Sequence, residues 1–321
     1  MLPLVLALLF TVLLGPVVSW LQQRLRLPRG LGSLLVLAVL VGGASYGVAA
    51  LGKPAVEWFE RGPRSLDRLE DRLRPLKEPM EKVTEATQGI EELTRVDERR
   101  AAPREVEVRE QPLIERLFER TRTVAAGAVM MLILLYFLLV SGDLFLRKLV
   151  HAMPTLADKR KTVEVAHRVR GDLSRYLGTI TVINLGLGVA EGTAMALLGM
   201  PNAVLWGAMA ALLNYIPYLG AIAGTGVVAL VAALTFDEGA FWLVPPLVYF
   251  ALTAAEGYFV TPMVLGQRLR LNPVAILLGL LFWGWMWGIP GAFLAVPLLV
   301  ALKIFSESLP SLERFGEFLG R

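Results

Sequence analysis

The stretch 202-NAVLWGAMAALLNYIPYLGAIAGTGVVALVAALTF-236 runs for 35 residues without one charged side chain. As a single α-helix it would be about 52 Å long, well beyond the ~30 Å hydrocarbon core of a bilayer. Its middle, Asn214-Tyr-Ile-Pro-Tyr218 followed by Gly220, holds the residues that interrupt helices. Two half-helices meeting at a break, or one proline-kinked rod, are the structures open to such a segment. Either needs lipid as its solvent.

The surroundings agree. From Tyr176 to Gln267 there is no Lys or Arg, and the acids are Glu191, Asp237, Glu238 and Glu256. The whole chain is 55% hydrophobic and 19% charged, against roughly 25% charged in soluble domains. Its mean hydropathy is +0.58. Five further segments fit full spans of about 20 apolar residues: Leu2–Trp20, Leu31–Leu51, Thr123–Val140, Gly178–Leu198 and Phe241–Thr261. The first lacks the basic flank and cleavage site of a signal peptide, and Arg24, Arg26 and Arg29 follow it, so it reads as a retained span. The fold class is an all-α polytopic membrane protein.

Charge sets the orientation. The loop after the first span carries three arginines and no acid, Ser141–Leu177 carries eight Lys/Arg against four acids, and Arg268 and Arg270 follow the Phe241 span. The positive-inside rule puts all three in the cytoplasm, and residues 53–122 outside. That outer segment, with 16 Lys/Arg and 17 acids, is long enough to be translocated despite its charge. Within it, Leu66, Leu69, Leu73, Leu76, Met80 and Val83 form a heptad seam that Pro75 and Pro79 interrupt, which predicts a kinked helical hairpin. Asp158–Tyr176 reads as a basic helix lying at the headgroups, with His151 and His167 solvated. The organisation is then 1–52, a transmembrane hairpin; 53–122, the extracytoplasmic amphipathic segment; 123–177, a span and the basic helix; 178–305, an apolar core that holds the interrupted tract; and 306–321, a tail.

A second tract, Pro273–Phe305, repeats the design of the first, with Gly288-Ile-Pro-Gly291 near its middle. Each tract follows one full span, and those two spans run in opposite directions. This is the pattern of an inverted-topology repeat, with Ile216-Pro217 and Gly220 set against Ile289-Pro290 and Gly291. Re-entrant hairpins and kinked spanning pairs both satisfy the parity. Irregular backbone at membrane depth survives only where protein or a water-filled cavity covers it. Broken segments in corresponding halves therefore point to a transport site.

Glu191 and Glu256 lie within spans, where a charge costs about 2.5–3.5 kcal/mol on insertion scales and so tends to face a cavity. Both are candidates for a proton or cation relay, the alternative being an acid hydrogen-bonded between helices or, for Glu256, one snorkelling to the near interface. Asn184 lies seven residues before Glu191 on about the same face, and Asn214 lies at the first break. Their amides can bind solute or hold helices together. Gly188–Gly192, Gly220–Gly224 and Gly284–Gly288 are spaced for close helix packing. Trp283, Trp285 and Trp287, beside Phe282, suit interfacial anchoring or ligand stacking.

No catalytic signature accompanies these features. H-E-x-x-H, G-x-S-x-G and the phosphate-binding P-loop are absent, which excludes ATP-driven pumping by this chain. Zero cysteines exclude disulfides and thiol chemistry. No basic stripe interleaved with aromatics suggests nucleic acid. The sequence predicts no cofactor and no bound metal; lipid, a small solute, and H+ or Na+ are the expected partners.

The motifs Leu213-Asn-Tyr-Ile-Pro-Tyr-Leu-Gly220, Glu256 with Thr261-Pro262 and Gly266, Phe282-Trp-Gly-Trp with Gly288 and Gly291, and Ala295-Val-Pro297-Leu with Lys303 resemble the autoinducer-2 exporter family, or PerM-like permeases. The Pro28-Arg29 turn is similar too. The resemblance covers nearly the whole chain. Two departures stand out: members commonly carry another apolar helix upstream of the position of Leu2, which would reverse the side of the N-terminus, and Pro290 stiffens the second break. The resemblance implies secondary transport in a bacterial inner membrane: export of autoinducer-2 by some members, sodium or lithium efflux against protons by others. It also implies a homo-oligomer.

Overall fold

The computed structural model describes residues 1–64, 113–236, 239–266 and 271–308, together with Arg314, Gly316 and Leu319 of the tail. The heptad seam from Leu66 to Val83, with Pro75 and Pro79, lies outside the described residues. The chain divides into two compact units, one of residues 1–55 and 127–321, the other of residues 56–126. In the second unit the described residues are the last turns of one helix and the first turns of another.

Helix α1 (Leu2–Leu25) starts on Pro3 and ends where Arg26 takes a left-handed conformation. Helix α2 (Arg29–Arg64) follows directly, and α3 covers Leu113–Ser141. Ala7, Val18 and Leu21 of α1, Val36 and Leu37 of α2, and Leu135 and Leu139 of α3 make one buried cluster. A short amphipathic α4 (Leu144–Ala152) leads to α5 (Leu156–Leu197). At the start of α5, Thr155 accepts a hydrogen bond from the Asp158 amide at 3.1 Å and donates to its carboxylate at 2.6 Å, satisfying an orphan donor and placing an acid at the positive end of the helix dipole.

With 42 residues α5 is about 63 Å long, twice the hydrocarbon thickness. The structure therefore corrects one expectation. Asp158–Tyr176 is no separate helix but continues without interruption into the Gly178–Leu198 segment within α5. No proline falls between the two halves, and the helix runs through both without interruption.

The first broken tract forms α6 (Ala203–Leu213) and α7 (Leu219–Thr235). The second forms α10 (Pro273–Trp287) and α11 (Ile289–Glu307), with Gly288 as the single residue between. Between them the Phe241–Leu265 segment holds α8 (Val244–Ala255), a π-turn (Glu256–Val260) and α9 (Thr261–Leu265). Both interruptions read from sequence are real. Among the described residues six helical segments are long and apolar enough to cross a membrane, one more than the five full spans expected, because α11 alone reaches that length. α6, α7 and α10 are shorter. The protein is an all-α polytopic membrane protein.

Glycines set how closely these helices approach. A Cβ on Gly188 would sit 2.7 Å from the Gly207 carbonyl oxygen, and Gly192 also faces Gly207, so α5 and α6 pack backbone to backbone. Gly224 gives up its side-chain space to the Tyr249 ring of α8. The Gly188–Gly192 and Gly220–Gly224 pairs are thus close-packing sites. Gly284 and Gly288 differ, with nothing near either, and Gly288 instead takes φ 65° at the break. Leu173, Tyr176 and Leu177 of α5, Ala275 of α10, and Leu299, Val300 and Ile304 of α11 close a second core at the lower end, where the Asn272 amide also donates to the Leu319 carbonyl at 3.0 Å. Lys303 is buried there, 3.7 Å from the Glu307 carboxylate.

Candidate functional site

The break between α6 and α7 is a compact knot. After Asn214, the Tyr215 amide donates to Leu212 O, Ile216 to Leu213 O, and Gly220 to Ile216 O, at 3.2, 2.9 and 2.9 Å. Pro217 has no amide to satisfy, and Tyr218 takes φ 64° to turn the chain. Gly220 follows by necessity, since a Cβ there would lie 1.9 Å from the Leu213 carbonyl oxygen. Gly291 stands in the same relation to Trp283 O in the second hairpin, at 1.8 Å. Backbone polar groups at both interruptions are thus largely answered within the turn itself. Ile216 is buried in a cluster with Leu280 of α10 and Ala295 of α11.

The knot holds Asn214 at the end of α6, facing α5 and the π-turn. Its side-chain amide donates to Asn184 Oδ1 at 2.9 Å and to Glu256 Oε2 at 3.0 Å. Three of the four polar residues singled out from sequence therefore meet in one network. Thr261 donates to the other Glu256 oxygen. Glu256 is 8% exposed and Asn184 1% exposed. Glu256 is held between helices.

Why Glu256 and Thr261 meet is local. Five residues apart on an α-helix, they would sit about 140° apart around the axis. Pro262 removes one amide from the ladder, and in a regular α-helix its ring would press on the Tyr258 carbonyl. The helix widens into a π-turn, in which the Thr261 amide bonds Glu256 O, and the two side chains come onto one face. Single π-turns of this kind concentrate at functional sites.

Glu191, fully buried, lies one layer further along α5. Thr253 Oγ1 donates to its Oε1 at 3.3 Å. Glu191 Oε2 and Asn184 Nδ2 are buried without a hydrogen-bond partner among the described residues. On the other side of Asn184, Tyr215 Oη donates to Thr181 Oγ1 at 2.9 Å. Thr181, Asn184 and Glu191 follow one face of α5, and Thr253 and Glu256 oppose them from α8 and the π-turn. The result is a polar column within an apolar bundle. Sequence reading missed Thr253 and Thr181, although each lies three residues before a named polar residue and so on the same helix face.

The remaining sequence candidates shape the site from a distance. Pro217 and Gly220 build the knot that carries Asn214, whereas Gly288, Pro290 and Gly291 form the tip of the second hairpin. Of the tryptophans, Trp283 packs on Phe282 and Trp287 with centroids 4.9 Å away in each case, while Trp285 is 83% exposed on the outer surface. Among the described residues no three His, Asp or Glu side chains gather into a metal-holding group.

Comparison with known proteins gives this site its setting. TqsA of Escherichia coli strain K12, named an AI-2 transport protein, is 25% identical over 305 residues, 95% of this chain and 85% of that protein. YhhT of the same strain, named as a candidate transport protein, is 25% identical over 319 residues, 99% of this chain and 87% of its own. A Haemophilus influenzae protein with a similar designation is 30% identical over 198 residues, 61% of this chain and 57% of that one. A model of the AI-2E family of transporters matches residues 1–311. The chain belongs to the AI-2E transporter family, whose members are named for transport and not for catalysis.

Proposed function

We propose that this transporter exports a small polar solute, a signalling molecule of the AI-2 kind named for TqsA, by an ion-coupled mechanism in which Glu256 is the coupling acid and Glu191 a second station. The observation that carries the reading is the Asn214 amide, set at the tip of a broken hairpin and bonded at once to Asn184 of α5 and Glu256 of the π-turn. A change in the charge of Glu256 alters what Asn214 is bonded to, and Asn214 is fixed to one of the two interrupted hairpins of the bundle. Protonation is thereby tied to the position of the hairpin. Polar residues at membrane depth beside broken helices are where secondary transporters bind their cargo.

Two further features support the reading. Gly220 and Gly291 make the same backbone approach in hairpins that follow oppositely directed spans, as an inverted repeat with re-entrant tips requires. The two buried acids, each with a threonine donor, also favour a second version in which sodium or lithium is the cargo and protons the counter-ion.

Flux in proteoliposomes decides. An imposed proton gradient should drive AI-2 uphill, and Glu256→Gln, which keeps the shape of the side chain, should abolish the gradient dependence. Sodium or lithium movement without AI-2 movement would select the antiporter version. Poorly saturating flux that ignores the gradient in both wild type and Glu256→Gln would make the protein a passive pore and end the coupling proposal.

A further inference from the structure

Apart from the polar column, the bundle has a second concentration of polar side chains at its basic end. A cavity of about 460 Å³ opens where α1, the start of α2, the end of α3 and the lower half of α5 converge. Ser19, Arg29, His167, Arg170, Ser174 and Arg175 line it, with Asp143 as the one acid among the described residues. Three guanidiniums facing one carboxylate leave a surplus of positive charge, and the two serines add neutral donors.

The arginines are held in place. Arg170 Nη1 lies 2.6 Å from Asp143 Oδ1, which fixes the guanidinium while leaving most of its donors free. Gly15 makes room for the same group, since a Cβ there would come within 3.1 Å of Arg170 Nη2. Arg29 lies over the left-handed Gly142, where any side chain would collide with its guanidinium. Its Nε is buried with no partner among the described residues. A buried guanidinium donor left unanswered is costly unless an acceptor meets it.

Location narrows the chemistry. The lining comes from the flank of α1 two turns above its end and from the loops richest in Lys and Arg, which the positive-inside rule assigns to the cytoplasmic face. The cavity thus sits at headgroup depth on that face. Planar, multidentate donors in fixed orientation match a phosphate better than they match a carboxylate. Basic pockets between membrane helices on this side receive anionic headgroups.

We propose that this cavity is a phosphate-binding site, taking the phosphate of an anionic phospholipid headgroup or of a soluble phosphate compound. It is independent of the transport reading, since none of its residues belongs to the polar column.

The test is a thermal-shift titration of the full-length protein in neutral detergent, with phosphatidylglycerol, phosphatidylcholine, inorganic phosphate and glycerol 3-phosphate as separate probes. Phosphatidylglycerol should stabilise the protein saturably where phosphatidylcholine does not; a matching response to the two soluble probes would identify a soluble phosphate compound as the natural occupant. Arg175→Gln, at an exposed position, should weaken the effective probe about tenfold, the loss of one charge-assisted contact. Lys161→Gln, which removes the same charge from α5 outside the cavity, should leave the midpoint unchanged. Arg29→Lys keeps the charge but loses the planar fork and should weaken binding while the protein still folds. Equal midpoints for wild type, Arg175→Gln and Arg29→Lys, or no saturable response to any phosphate probe, would overturn the proposal.

Discussion

Replacing Asn214 by leucine would remove two hydrogen bonds at once and leave Asn184 Oδ1 and Glu256 Oε2 buried without a donor. Each stranded acceptor costs about 1–3 kcal/mol. Asn214→Leu should therefore lower the unfolding midpoint in detergent clearly and stop transport. Thr253→Val deletes only the longer 3.3 Å bond to Glu191 without changing volume, so a loss of about 1 kcal/mol is expected in the same assay. The glycines give a sharper contrast. Gly220→Ala and Gly291→Ala each drive a Cβ into a carbonyl oxygen of the preceding helix. Overpacking of that kind costs about 1–3 kcal/mol or more, and both variants should lose folded yield by fluorescence-detected size exclusion. Gly284→Ala meets nothing within 4 Å and should be neutral, or stabilising by up to about 1 kcal/mol through helix propensity.

Among the elements, the π-turn rests on one residue. Pro262→Ala restores an amide to the ladder and should let Glu256–Leu265 relax toward a regular α-helix, rotating Thr261 away from Glu256. Stability should hold or rise while transport falls, a trade common at strained functional segments; flux and thermal unfolding measured together check it, and unimpaired flux would show the π-turn to be incidental. This element also marks the limit of what the sequence discloses. Asn184, Glu191, Asn214 and Glu256 stand out because polar side chains are conspicuous among apolar neighbours, and the two interruptions stand out through proline and glycine. The pairing of Thr261 with Glu256 depends on a one-residue change of helical pitch that no periodicity records. The extent of α5 was obscured for another reason. Its halves differ in charge, so composition separates them, while the backbone hydrogen bonds run through both.

For the molecule as a whole, orientation and hairpin depth are directly measurable, because the chain contains no cysteine. A single cysteine at His151 should react with an impermeant maleimide only after the membrane is opened, and one at Gly239 should react on intact cells. α10 has 15 residues and rises about 22 Å, short of the ~30 Å core. A cysteine at Ile289 should therefore resist bulky reagents from both sides if the second hairpin is re-entrant; ready labelling from outside would make α10 and α11 a spanning pair. The unbroken length of α5 has a mechanical corollary. Some 20 residues, or about 30 Å of stiff lever, project below the span that carries Asn184 and Glu191. A tilt of about ten degrees pivoting near Tyr176 would swing the Thr155 end through about 5 Å, on the same helical geometry. Anything that grips the foot of this lever applies torque directly to the two buried side chains above, with no joint between to absorb it.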